Sequence, residues 1–237
     1  MPGLGTIINT AAIIAGGLLG LLFKNLLTKS MEDTLLKASS VCVLFIGIGG
    51  AMQHMLKITD GALETSGSMM LIICFVLGSI VGELLDIEGA FERFGAWLRK
   101  KTHNESDTGF LSAFIHASLT VCIGAMAIVG SIQDGLLGDS SLLCAKAALD
   151  AVIILVMTAS MGKGCIFSAI PVALLQGGVT LLSRVLAPVF TEAAIANLSY
   201  TGSVMIFCVG LNLVWGKKIK VANLLPTLVF AVLYALV

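Results

Sequence analysis

Residues 130–152, "GSIQDGLLGDSSLLCAKAALDAV", decide the fold because they place charges inside an apolar run that continues on both sides. Gln133 and Asp134 end one hydrophobic segment, and Lys146 and Asp150 lie within the next. A charged side chain at the centre of a bilayer costs about 3 kcal/mol or more, so such residues are rare in membrane segments and usually functional. The first question is whether the flanking segments cross a membrane.

The composition is that of a membrane protein. Of the 237 residues, 57% are hydrophobic and 12% are charged, with a mean hydropathy of +1.03, whereas charged residues make up about a quarter of an ordinary soluble domain. The lipid bilayer is therefore the expected surrounding of this chain. The formal net charge is zero and no basic patch is evident, so we expect no nucleic-acid partner.

Eight apolar segments approach the roughly 20 residues that a helix needs to cross about 30 Å of hydrocarbon. They are residues 6–23, 39–54, 68–85, 110–132, 143–161, 164–182, 197–215 and 221–237. The sequence predicts an all-α polytopic transmembrane helix bundle of about eight spans, forming one integral membrane domain over residues 1–237. Because only "MGKG" separates the fifth and sixth segments and the last is short, seven spans or a re-entrant hairpin is the alternative.

The distribution of Lys and Arg predicts the orientation, because cytoplasmic loops carry the excess. With both termini outside, the inner loops receive eleven of the fourteen basic residues, leaving Lys57, Lys146 and Arg184 elsewhere. No Lys or Arg precedes the first apolar run, so that run is interpreted as the first span rather than a cleavable signal peptide.

Three stretches share a pattern of span, short amphipathic segment and span. The predicted units are residues 6–54, 68–132 and 164–215, with 143–161 and 221–237 as extra spans. The single span before the third unit would turn that unit upside down, and inverted repeats are common in secondary transporters. The alternatives are that small residues recur in any helical bundle and that the amphipathic segments merely anchor spans at the membrane surface.

Two glycine pairs predict close helix packing. Gly16 with Gly20 and Gly78 with Gly82 are each one helical turn apart, and small residues of this kind let helix backbones approach in lipid. We favour packing within one chain, with self-association into a homo-oligomer as the alternative.

The charged hairpin supplies the candidate site. Lys146 and Asp150 share a helix face at positions i and i+4, and Gln133 and Asp134 are expected to face them from the preceding span. Asp150 is either an ion- or proton-carrying carboxylate or a structural partner that neutralises Lys146. Asp134 has a simpler interpretation, because "QDG" is ordinary turn chemistry.

Two further polar residues complete the set. Gln176 follows Pro171 in a span that is expected to kink and expose carbonyls, as broken helices that line substrate paths do. The alternative is a simple proline kink that packing tolerates. His116 is a candidate proton relay, although a lone histidine is more often a hydrogen-bonded interior group. The predicted solute- or ion-binding residues are Gln133, Asp134, Lys146, Asp150, Gln176 and His116.

The sequence offers little for catalysis or cofactors. The six cysteines form no CxxC pair and have no histidines at metal-ligand spacing, the HExxH motif is absent, and "GLLGD" lacks the GxGD spacing of intramembrane aspartyl proteases. We therefore expect neither an enzyme nor a metal or organic cofactor.

The motifs "GTIINTAAIIAGGLLG", "GSIQDGLLGD", "KAALDAV" and "ALLQGG" resemble a bacterial membrane family known as domain of unknown function 554, over nearly the whole chain. The resemblance implies an integral protein of the bacterial inner membrane and brings no established binding or catalytic residues.

The leading functional hypothesis is a transporter of ions or small solutes, with protons or sodium ions as candidate coupling ions. The alternatives are a passive channel, whose conductance would persist without a coupled gradient, and a non-catalytic membrane scaffold or regulatory subunit.

Overall fold

The fold is a bundle of α-helices, seen in a computed structural model that describes residues 2–24, 26, 28–59, 61–105, 107–123 and 125–236. Six helical segments in this part of the chain are long and apolar enough to cross a membrane, and a bent helix pair makes up to seven. The all-α membrane bundle predicted from the sequence is therefore confirmed.

The elements follow one another along the chain with short connections. The helices are α1 (Leu4–Lys24), α2 (Lys29–Met55), α3 (Ser68–Leu85), α4 (Ile87–Lys101), α5 (Phe110–Cys122), α6 (Ala125–Leu137), α7 (Ser141–Met161), α8 (Ala169–Leu181), α9 (Ser183–Leu186), α10 (Glu192–Trp215) and α11 (Pro226–Tyr234). Two 3-10 turns, Lys163–Ser168 and Val221–Leu224, precede α8 and α11, and the strands β1 (Leu56–Thr59) and β2 (Ala62–Thr65) join α2 to α3.

The eighth predicted span is shorter than the sequence indicated. The apolar helical segment covers only Val221–Tyr234, and it consists of a 3-10 turn followed by α11. The helix restarts at Pro226, which lacks a backbone N–H and is best tolerated in the first turn of a helix. Hydropathy alone does not detect such a restart, because the residues on both sides of it are apolar.

Only one of the three predicted amphipathic segments is a separate helix. Asp86, in a left-handed conformation at φ 48°, ends α3 and begins α4. In the first and third predicted units, the amphipathic segment belongs to the same long helix as the span that follows it. These helices are α2 and α10, which begin directly after the capping residues Thr28 and Thr191. The inverted repeat therefore stays a prediction.

A short β-hairpin, which was not among the predicted elements, lies between α2 and α3. β1 and β2 are antiparallel, with Leu56 opposite Thr65 and Thr59 opposite Ala62. Gly61, at φ 80°, lies in the turn.

Both glycine pairs serve contacts within this chain. A Cβ on Gly16 or Gly20 would overlap backbone atoms of α7, and α1 packs along α7. A Cβ on Gly78 or Gly82 would similarly overlap backbone atoms of Val221–Tyr234, against which α3 packs. The close helix packing predicted from the sequence is thus internal, and the homo-oligomer stays a prediction.

The fourth predicted span is not one straight helix. α5 and α6 are bent by 60° at their junction, where Gly124 lies outside the described residues. α5 packs on the 3-10 turn Lys163–Ser168 and α6 packs on α8, beside α1 and α7. Two interrupted helical segments thus lie together in the bundle, and the candidate site is built around them.

Candidate functional site

The centre of the site is a buried ion pair on α7. The Nζ atom of Lys146 lies 2.6 Å and 2.8 Å from the two carboxylate oxygens of Asp150. Lys146 and Asp150 are only 7% and 3% exposed, so their opposite charges compensate one another away from solvent. The i to i+4 pairing predicted from the sequence is present, and it fixes both side chains on one helix face.

Two neighbours complete this pair. The Nδ2 atom of Asn9 on α1 donates to Asp150 Oδ2 at 3.0 Å, and Lys146 Nζ donates to the carbonyl oxygen of Val121 at 2.9 Å. Val121 belongs to the last turn of α5, whose carbonyl groups lack the partners that a continuous helix would supply. The lysine thus caps the interrupted helix, and a cation is favoured at this end of the helix dipole.

Asp134 has a different position from the one expected. Rather than facing Lys146 and Asp150, its Oδ2 accepts hydrogen bonds of 3.1 Å from the amides of Gly3 and Gly5, at the start of α1. An anion is stabilised there by the free N–H groups and the helix dipole. Asp134 is fully buried, although the sequence pattern was equally typical of an exposed turn.

The hydrogen bonds of Asp134 to the start of α1 should contribute measurably to stability. Replacing Asp134 by Ala should lower the free energy of unfolding by about 1–2 kcal/mol, because two amides of α1 lose their acceptor. Asp33→Ala, which removes the exposed partner of Lys37 on α2, should cost less than about 1 kcal/mol. Thermal unfolding of the two purified variants in the same detergent checks this, and equal losses would contradict the capping role.

One cavity lies at the helix ends near Asp134. It has a volume of about 390 Å³, and we call it the outer cavity because the predicted topology places it outside. Its lining includes Thr6 on α1, Gly135 on α6, Thr180 on α8 and Arg184 on α9. Polar groups from several helices therefore meet at its wall.

Gln176 lies one turn deeper on α8 than Thr180. It is fully buried, and neither its amide oxygen nor its amide nitrogen has a hydrogen-bond partner within the part of the chain that the structure describes. Leaving such a group unpaired costs roughly 1–3 kcal/mol, so it calls for an explanation.

A second cavity of about 250 Å³ lies at the opposite ends of the helices. We call it the inner cavity, and its lining includes His116, Glu88 and Lys217. Lys217 Nζ lies 3.0 Å from Glu88 Oε1 and also contacts Glu92. Burial lowers the pKa of Lys217, but the hydrogen bonds to Glu92 and Glu88 outweigh this effect and hold its pKa above the ordinary value, so the lysine is charged at neutral pH.

His116 is separate from the central ion pair. Its Nδ1 lies 2.8 Å from the backbone oxygen of Ser112, which matches the simpler expectation of a hydrogen-bonded interior histidine. Gln133, half-buried in α6, forms none of the hydrogen bonds that hold Lys146 and Asp150. The structure therefore brings together two of the six predicted residues and distributes the others around them.

Two members of these polar clusters, Asn9 and Glu88, are absent from the predicted binding residues. Asn9 lies 141 positions from its partner Asp150, and the carboxylate of Glu88 accepts from the backbone N–H of Ala222 at 3.0 Å. An asparagine in an apolar span indicates a hydrogen bond across helices but not its partner, and no sequence pattern indicated Glu88. Among the described residues, no three His, Cys, Asp or Glu side chains group as metal ligands would.

The apolar helices, with charges confined to their interior and ends, define a polytopic membrane protein. The chain belongs to the family described as protein of unknown function DUF554, whose model matches residues 4–236. It is 27% identical over 224 residues to the uncharacterized membrane protein YdfK of Bacillus subtilis (strain 168), covering 94% of this chain and 92% of that one. It is 25% identical over 235 residues to the uncharacterized protein YqgA of Escherichia coli (strain K12), covering 96% and 94%. No solved structure matches the chain.

Proposed function

We propose that this protein transports ions or small solutes across the bacterial inner membrane, with both termini outside. The observation that carries the proposal is the buried pair of Lys146 and Asp150 at an interrupted helix, between two cavities at opposite ends of the bundle. Ionisable groups inside a membrane bundle typically mark substrate or ion paths, and broken helices commonly form transporter sites.

The depth of the pair supports this function. Asp150 is the tenth residue of the 21 in α7, which places it about 14 Å from the start of that helix at a rise of about 1.5 Å per residue. The hydrocarbon core is about 30 Å thick, so with α7 as a span its carboxylate would lie near the middle of the core. Transporter sites lie at this depth because they must be reached in turn from both sides.

The two cavities support alternating access. Thr6 and Thr180 line the outer cavity, while Leu119, two residues before Val121 on α5, lines the inner cavity. Lys146 holds the Val121 carbonyl, so the ion pair touches the helix that leads from the inner cavity. If Lys146 released the Val121 carbonyl, the end of α5 could move and change the route between the ion pair and the inner cavity. No long helix would have to break.

A double substitution tests the proposal. Lys146→Met with Asp150→Leu removes both charges and keeps similar volumes, and such replacements of buried ion pairs are often neutral or stabilising. We expect this variant to fold while its transport current falls by at least about tenfold, since a site for charge is gone. The measurement is solid-supported membrane electrophysiology on reconstituted vesicles, with proton gradients, sodium gradients and a panel of small polar solutes.

The control is Asp33→Asn, which disrupts an exposed i to i+4 pair with Lys37 on α2 and should leave the current unchanged. Wild-type currents that persist in the double variant would reject the role of the pair. An absence of current in the wild type under every gradient would reject transport.

A structural role is the second candidate function, because Lys146 Nζ already donates three hydrogen bonds, to both carboxylate oxygens of Asp150 and to the carbonyl oxygen of Val121. A scaffold would use these charges only to hold α7 against α1 and α5. It would then retain its partner proteins in the double variant, and co-purification with wild-type and variant bait distinguishes the two functions.

A further inference from the structure

The polar residues between the outer cavity and the central pair share an unusual property. Each is at most 8% exposed and carries a side-chain oxygen without a hydrogen-bond partner among the described residues. They lie on α1, α6 and α8. The five oxygens are Thr6 Oγ1, Asn9 Oδ1, Asp134 Oδ1, Gln176 Oε1 and Thr180 Oγ1.

Contacts between the helices bring these oxygens to one region. Asp134 on α6 binds the amide of Gly5 on α1, while a Cβ on the adjacent Gly135 would lie 2.5 Å from the carbonyl oxygen of Thr180 on α8. The end of α6 is thus held between α1 and α8. Thr6 and Thr180 both line the outer cavity, so the two buried hydroxyls belong to residues that border it on two sides.

The floor of this region lies one helical turn deeper. Asn9 follows Gly5 by four residues on α1, and Gln176 precedes Thr180 by four residues on α8, so each lies on the same face of its helix about 6 Å further in. Asn9 also donates through its nitrogen to Asp150. The same amide group carries the unpartnered Oδ1, so Asn9 joins this region to the ion pair.

We propose that these oxygens form a binding site for a monovalent cation of the size of Na⁺. Acceptor oxygens predominate, and hard cations prefer carboxylate, amide and hydroxyl oxygens. The single carboxylate matches a single positive charge, whereas calcium sites commonly draw on several carboxylates. This inference deepens the proposed transport function and rests on it for the use of the cation, which is to couple ion binding through Asn9 to the central pair.

The test is direct binding of radioactive ²²Na⁺ to the purified full-length protein in detergent, with choline chloride holding the ionic strength constant. The wild type should bind the ion saturably, with unlabelled Na⁺ competing better than K⁺ or Ca²⁺. Asp134→Asn, which keeps an acceptor for the α1 amides, should raise the Kd at least about tenfold, as should Thr180→Val, since each removes an ion ligand.

Thr201→Val is the matched control, because Thr201 is also buried but its hydroxyl already donates to the carbonyl oxygen of Asn197 at 2.8 Å. Its Kd should stay within about twofold of the wild type. Should Asp134→Asn fail to fold, Thr180→Val and Gln176→Leu carry the test. Absence of saturable binding in the wild type, preferred competition by Ca²⁺, or unchanged binding in both latter variants overturns the site.

The vesicle currents separate this inference from the function on which it rests. One outcome is that the protein binds no Na⁺ and that its currents need Lys146 and Asp150 but persist in Thr180→Val. This outcome would overturn the cation site and leave the transport function supported. Saturable, Asp134-dependent Na⁺ binding by a protein that gives no current under any gradient would support the site and reject transport.

Discussion

Asp150→Asn alone should lower the free energy of unfolding by about 3–5 kcal/mol, because it leaves Lys146 charged and buried without its counter-ion. Lys146→Met alone should lower the free energy of unfolding by a similar amount, because it leaves Asp150 negatively charged and buried without its counter-ion. The double variant with Lys146→Met and Asp150→Leu should recover most of this loss, since neither charge then remains in the bundle. Stability is therefore expected to depend on the pairing rather than on either residue.

A double-mutant cycle of unfolding in a denaturing detergent measures this dependence. Asp33→Asn is the matched control, since Asp33 and Lys37 have the same i to i+4 spacing but side chains that are 60% and 72% exposed, and it should change stability by less than about 1 kcal/mol. Additive losses in the double variant would show that the two charges do not compensate one another.

Among glycine-to-alanine substitutions outside the site, Gly82→Ala should lower the free energy of unfolding the most. An added Cβ at Gly82 would overlap the carbonyl of Asn223, and a backbone group cannot move aside as a flexible side chain can. Overpacking of this kind costs about 1–3 kcal/mol, and more where the neighbour is rigid. We therefore expect a loss of about 3 kcal/mol and a wider separation of α3 from Val221–Tyr234.

Gly178→Ala is the control for this change. Gly178 also lies in a helix, α8, but no atom of the described residues lies within 4 Å of an added Cβ there, so alanine should stabilise that helix by up to about 1 kcal/mol. Thermal unfolding gives the sign of each effect, and hydrogen exchange of α3 locates the change. Equal effects in the two variants would contradict the tight contact at Gly82.

The sequence was sufficient for the features that depend on local composition. Six predicted spans correspond to long apolar helical segments, because enough consecutive apolar residues cross a bilayer whatever their neighbours are. The pair of Lys146 and Asp150 was equally visible, since helix geometry brings positions i and i+4 together. Glycines one turn apart likewise marked the contacts of α1 with α7.

Features that depend on distant partners could not be predicted. The 60° bend between α5 and α6 lies in an apolar stretch with no proline, and it is stabilised by Lys146, 25 positions from Val121. Asp134 was interpreted as a possible turn residue because nothing local shows that Gly3 and Gly5 approach it. The packing of α7 against α5 gives Lys146 its contact with Val121, and the packing of α1 beside α6 gives Asp134 its contacts with Gly3 and Gly5.

The hairpin of β1 and β2 offers a practical handle on a chain of only 24.6 kDa, a mass that gives weak contrast for single-particle electron microscopy. Gly61 lies in an exposed turn, and within the described part of the chain no atom lies within 4 Å of a Cβ added there. Exposed loop tips of this kind tolerate inserted domains. A rigid fiducial protein grafted there through two short connections should stand clear of the detergent belt and provide the alignment signal that the bundle lacks.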